Sequence, residues 1–130
     1  MKRQILAIDG SKAIRFLLQT VLGKEYEVIS FADGYSAMHW LSKSKSPNLI
    51  ITDPQLPGME DWELIQQLST SGIHGAIPIL ALSSMDKSEI SVKCLEYGVR
   101  QHFLKPFNPV ELLRAIRDRV SDPILEQVLS

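Results

Sequence analysis

Four short apolar runs in this chain each end on a residue capable of phosphate or metal chemistry. Leu6-Ala7-Ile8 ends on Asp9, and Leu49-Ile50-Ile51-Thr52 ends on Asp53. Ile79-Leu80-Ala81-Leu82 leads into Ser83-Ser84, and His102-Phe103-Leu104 into Lys105-Pro106-Phe107. Two carboxylates at one place repel unless a cation sits between them. Hard oxygen ligands favour Mg²⁺, which keeps several waters and needs only one or two protein carboxylates. A lysine ammonium is a compact donor for a phosphate oxygen, and a serine hydroxyl beside a backbone amide binds an oxyanion. Together these are the parts for phosphoryl transfer onto a carboxylate nucleophile, Asp53. Each residue also has a plainer explanation, since an Asp before Pro and Gly commonly initiates a turn. Convergence in space separates the two readings.

The elements between these residues predict that convergence. The runs are apolar on both alternations and separated by helix-like segments, which marks buried strands of a parallel sheet. In an open α/β sheet, ligands bind outside the carboxyl ends of the strands. Strands are expected at residues 4–8, 27–31, 49–52, 77–82 and 102–104. Ser11 suits the N-cap of the first helix, whose apolar face is Ile14, Leu17, Leu18, Val21 and Leu22. Asp33-Gly34 marks the turn before the second helix, Asp86 or Ser88 suits the cap of the fourth, and Pro109 opens the last. Five alternating units predict a doubly wound α/β fold, a five-stranded parallel sheet with helices on both faces.

Length and composition restrict the function classes. A chain of 130 residues is expected to form one domain, at residues 1–122, with 123–130 as a short tail or helix, a linker stub or a dimer contact. A net charge of −1 offers no field for nucleic acid or anionic membrane, and no basic stripe is present. Cys94 is a single cysteine without metal-ligand spacing and reads as a small buried hydrophobe. His39, His74 and His102 show no metal spacing, and Trp40, Trp62 and Met59 read as packing residues. The amino terminus lacks a signal-peptide pattern and no run has membrane-spanning length, so a cytoplasmic protein is expected.

With those residues in place, the chain resembles the receiver domains of bacterial two-component response regulators over about residues 4–120. The segments that carry the resemblance are Ile5-Leu6-Ala7-Ile8-Asp9 with Arg15 downstream, Pro47-Asn48-Leu49-Ile50-Ile51-Thr52-Asp53, and Leu56-Pro57-Gly58-Met59-Glu60. Ile77-Pro78-Ile79-Leu80-Ala81-Leu82-Ser83 and Gly98-Val99 with Phe103-Leu104-Lys105-Pro106-Phe107 complete it. The resemblance implies a flavodoxin-like fold that takes a phosphoryl group onto Asp53 from a sensor histidine kinase or phosphotransfer protein. It implies Mg²⁺ held by Asp9, Asp53 and the backbone carbonyl of Gln55. Ser83, Ser84 and Lys105 would contact the phosphoryl group, Ser83 and His102 would form the switch, and Pro106 would follow a cis peptide bond. Signal output would run through the face of residues 87–120, to a partner, an output domain or a second copy.

Four positions depart from the family pattern. Gly10 stands where a second acidic metal ligand is usual, which weakens Mg²⁺ binding by one anionic oxygen. Pro54 directly follows Asp53 and has no N–H to offer a phosphate. Asp61 replaces a usual glycine, and His102 replaces the usual Tyr or Phe, giving that position a pH-dependent charge. These departures leave a second reading open, a degenerate receiver that binds partners without phosphorylation. A flavodoxin-like enzyme or nucleotide-binding domain would need a glycine-rich phosphate loop, and Asp9-Gly10-Ser11-Lys12 is not one. Dehalogenase-type phosphatase chemistry would need an Asp-x-Asp pair, and position 55 is Gln.

Overall fold

The computed structural model describes residues 2–120, so the tail expected at 123–130 lies outside the described residues. Strands β1 (Gln4–Ile8), β2 (Glu27–Phe31), β3 (Leu49–Thr52), β4 (Ile79–Ser83) and β5 (Gln101–Leu104) alternate with five helices. The helices are α1 (Lys12–Leu22), α2 (Gly34–Leu41), α3 (Glu63–Ser69), α4 (Lys87–Tyr97) and α5 (Pro109–Arg119). All strand pairs are parallel and the order is β2-β1-β3-β4-β5. This is the flavodoxin-like doubly wound sheet that the sequence predicts.

Alternation along each strand divides the core into two layers. Ile5, Ala7, Leu49, Ile51, Leu80 and Leu82 pack with Leu18 and Leu22 of α1 and Leu112 and Ile116 of α5. Leu6, Ile8 and Ile50 face the other way, onto Ala37 and Leu41 of α2 and Leu64 and Leu68 of α3. Ala81 continues that second face beneath Ile90 and Cys94 of α4. With both faces covered, β1 and β3 are buried along nearly their whole length. Cys94 is buried here, and burial pushes its thiol above the usual range, which keeps it protonated.

Local chemistry sets the helix ends. Ser11, Asp33, Asp86 and Asn108 each cap a helix by accepting from a backbone N–H of the first turn. Gly98 ends α4 at φ 71°, the left-handed conformation that costs glycine least. Asn108 Oδ1 accepts from both Val110 and Glu111, at 2.9 and 3.3 Å. Asn108→Ala is therefore expected to destabilise the chain by about 1 kcal/mol in urea denaturation, whereas Asn108→Asp changes little.

Candidate functional site

The register carries the site residues to one edge. Ile8 pairs with Thr52, so the residues after them, Asp9 and Asp53, emerge side by side from the two central strands. The Asp53 N–H donates to the Ile8 carbonyl at 3.1 Å, which extends the pairing to Asp53 itself. Across β4, Ser83 pairs with Leu104, and the Lys105 N–H donates to the Ser83 carbonyl at 2.8 Å. Lys105 therefore leaves β5 directed over the ends of β4, β3 and β1. The Lys105-Pro106 peptide bond is cis, as the sequence resemblance implies.

Lys105 Nζ lies 2.7 Å from Asp9 Oδ2 and 2.7 Å from Asp53 Oδ2, bridging the two carboxylates. The Asp53 contact is an aligned hydrogen bond, whereas Asp9 Oδ2 has the ammonium beside it without a hydrogen-bonding alignment. The other carboxylate oxygens are held by backbone. Asp53 Oδ1 accepts from the Gln55 N–H at 2.8 Å, and Asp9 Oδ1 from the Ser11 N–H at 2.9 Å. Arg15 reaches back from α1 and donates to the Asp9 carbonyl at 2.7 Å. Both carboxylates are thus aimed by backbone donors and share one ammonium.

Burial lowers the Lys105 pKa, but its close contacts with the Asp53 and Asp9 carboxylates and their negative charges outweigh it and leave the ammonium above its ordinary 10.5. A cation favoured in the fold contributes stability that is complete below its unfolded pKa and disappears as pH rises through the folded one. Wild-type stability is therefore expected to fall above about pH 10.5 more steeply than that of Lys105→Met. Urea midpoints of the two proteins across the alkaline range measure the difference, and parallel curves would contradict the linkage.

Ser83 is fully buried and its Oγ accepts from the Met85 N–H at 2.9 Å, which leaves the hydroxyl proton to donate elsewhere. Ser84 is exposed, one residue beyond the strand. His102 pairs with Ala81 across the β4–β5 ladder and is half-buried. By alternation with Phe103, which packs on the α1–α5 layer, His102 belongs to the face covered by α4. Gln55 follows Pro54 on the loop after β3, where its side chain donates to Asp61 at 3.1 Å. Asp61, the residue in the usual glycine position, is therefore engaged within the loop.

The donor set sets the terms for a metal. Among the described residues no three His, Cys, Asp or Glu side chains are grouped to hold an ion. Two carboxylates on adjoining strands, with one oxygen free of aligned hydrogen bonds, fit Mg²⁺ completed by water and a carbonyl. Position 10 adds no acid, and a Cβ there would sit 3.1 Å from Pro57 Cγ and Cδ.

Two features of the loop after Asp53 escape a reading of residue types. Met59 covers Gly34 so closely that a Cβ at 34 would lie 2.5 Å from its sulfur. Trp62 is buried at φ 69°, a conformation bulky residues rarely take, and stacks on Tyr97 at 5.7 Å. Its backbone N–H donates to the Pro54 carbonyl at 2.8 Å, tying the residue after Asp53 to the start of α3. Trp62 is thus a packing residue, as expected, with a backbone role that its type does not announce.

Residues 5–117 match the family model for the response regulator receiver domain. The chain is 32% identical over 117 residues to the transcriptional regulatory protein PcoR of Escherichia coli, covering 90% of this chain and 50% of that protein. It is 29% identical over 118 residues to the sporulation initiation phosphotransferase F of Bacillus subtilis, covering 90% and 93%. The chain spans about half the length of the first relatives it matches. Among solved structures, the chemotaxis response regulator CheY4 of Vibrio cholerae superposes with a TM-score of 0.82 at 27% identity, over 92% of this chain and all of that one. No helix among the described residues is long and apolar enough to cross a membrane.

Proposed function

Because the chain belongs to the response regulator receiver domains of two-component systems, we propose that Asp53 accepts a phosphoryl group from the phosphohistidine of a sensor kinase or phosphotransfer protein. The observation that carries this reading is Lys105 Nζ bridging Asp53 and Asp9 at 2.7 Å to each. An Asp53 carboxylate oxygen forms the new P–O bond as the donor's P–N bond breaks, and the electron pair leaves with the imidazole. Lys105 follows the charge from the carboxylate to the phosphoryl oxygens, and Ser83 donates its free hydroxyl proton to one of them. Charge stabilisation already in place before the reaction is where such sites gain most of their rate. Asp9, Asp53 and the Gln55 carbonyl would hold Mg²⁺, which when bound neutralises charge on the transferring group.

Occupation of Ser83 by the phosphoryl group biases a pre-existing equilibrium of the face at residues 87–120. Exposed Val92, Leu95, Leu104 and Val110 on that face support its use as a contact for an output domain or a second copy. In a relative about twice this length, named as a transcriptional regulator, the remainder has room for an output domain. A cytoplasmic site of action follows from this role.

Incubation with acetyl phosphate and Mg²⁺ is expected to add one phosphoryl group by intact mass, with no gain in Asp53→Asn. Without Mg²⁺ the gain is slower. The reading of a degenerate receiver, favoured by Gly10 and Pro54, requires no gain at any Mg²⁺ concentration or from a cognate kinase.

A further inference from the structure

A second surface, on α2, is unlike the Asp53 edge in every respect. Phe31, Tyr35, Ser36, His39, Trp40 and Lys43 line an open, largely apolar groove of about 510 Å³. Tyr35 is 58% exposed, although a large apolar ring gains by burial, and Phe31 and Trp40 meet at 6.3 Å in a tilted pair. The charge beyond the carboxyl end of α2 has one sign. Residues 34–52 contain Lys43, Lys45 and His39 and no Asp or Glu. Among the described residues no carboxylate pairs with Lys43 or Lys45.

The nearest acid along the chain, Asp33, lies at the opposite end of α2, as its N-cap. Asp33 accepts from the Ser36 N–H with one oxygen and from the Ser36 hydroxyl with the other. Asp61 accepts from Gln55, and both it and Glu60, beyond Met59, are exposed acids on the loop side. The groove also borders the acceptor loop: a Cβ on Gly58 would lie 3.8 Å from the Tyr35 ring, and Met59 packs over Gly34.

We infer that this groove is a docking site for an acidic peptide segment of a partner protein, anchored by an aromatic side chain. The aromatic anchor fills the space among Phe31, Tyr35 and Trp40, and flanking carboxylates meet Lys43 and Lys45. Aromatic anchors in preformed pockets with a charged rim are the usual form of a small peptide site. The inference does not depend on phosphorylation of Asp53, because no groove residue belongs to the carboxylate pocket.

The test uses a random copolymer of glutamate and tyrosine as the probe, titrated into the ¹⁵N-labelled chain. Shifts are expected at the amides of Tyr35, His39 and Lys43 and at the Trp40 indole, and equally in Asp53→Asn. The double variant Tyr35→Ala/Lys43→Glu alters two exposed side chains, and it is expected to weaken binding about tenfold or more with an unchanged melting curve. Equal binding of polyglutamate or of a lysine–tyrosine copolymer would overturn the inference, as would shifts that map elsewhere. Concentration-dependent dimerisation abolished by Tyr35→Ala would overturn it in favour of a second copy as the occupant.

Discussion

Lys105→Ala is expected to lower the stability of the folded chain by about 3 kcal/mol at neutral pH, as removal of one partner from a buried ionic cluster does. The same change is expected to slow phosphoryl transfer from acetyl phosphate about 10²-fold or more, the usual effect of losing one preorganised charge-stabilising donor. The reason for both is the position of Nζ, 2.7 Å from each of two carboxylates whose side chains are 3% and 12% exposed. Without the ammonium, two anions face each other across adjoining strands with little water to screen them. Millimolar Mg²⁺ is expected to restore part of the lost stability, because it supplies the missing positive charge, and to stabilise wild type less. Urea denaturation with and without Mg²⁺ and phosphorylation time courses measure the two effects. A variant as stable as wild type would show that the bridge has no structural role, and one phosphorylated at the wild-type rate would remove Lys105 from the chemistry.

The second large effect falls on Trp62. Its indole is 4% exposed and stacks on Tyr97, joining the loop after Asp53 to the end of α4. Trp62→Ala is expected to cost about 3–5 kcal/mol, the range for emptying a buried aromatic site. Trp62→Gly removes one more carbon yet is expected to cost about 1 kcal/mol less than Trp62→Ala, because a left-handed backbone at φ 69° penalises any Cβ. Ordinary helix propensity gives the opposite order, so the comparison separates backbone strain from packing. If Trp62→Gly is the less stable variant, the left-handed conformation carries no cost at this position.

Much of this was legible in the sequence because β1 and β3 are buried on both faces and their apolar runs stop where the chemistry begins. Asp9 and Asp53 follow directly from that punctuation, and Ser83 and Lys105 follow once β4 and β5 are placed beside β3. The start of β4 was less legible. Residues 77–82 read as one strand, but Pro78 has no N–H to place in a ladder and β4 begins at Ile79. Pro78 still accepts from the Ile50 N–H at 3.0 Å, so it adjoins the sheet without entering the strand.

The contacts that aim the carboxylates were less visible. Arg15 reaches the Asp9 carbonyl only because the turn at Ser11 sets the phase of α1, and composition carries no trace of that geometry. Trp62 offers still less signal. Left-handed residues are ordinarily announced by Gly or Asn, and neither stands at 61 or 62. The α2 groove combines aromatics from β2 and α2 with lysine after the helix, a grouping that exists only in the folded chain.

The most direct measurement is to locate the phosphoryl group. Acyl phosphate on an aspartate is reduced by borohydride to homoserine, which peptide mass mapping assigns to one position. Homoserine at position 53 after treatment with acetyl phosphate and Mg²⁺ is the predicted result, at markedly lower yield in Lys105→Ala. Modification at another residue, or none with either acetyl phosphate or a phosphorylated histidine donor, would contradict the role assigned to Asp53.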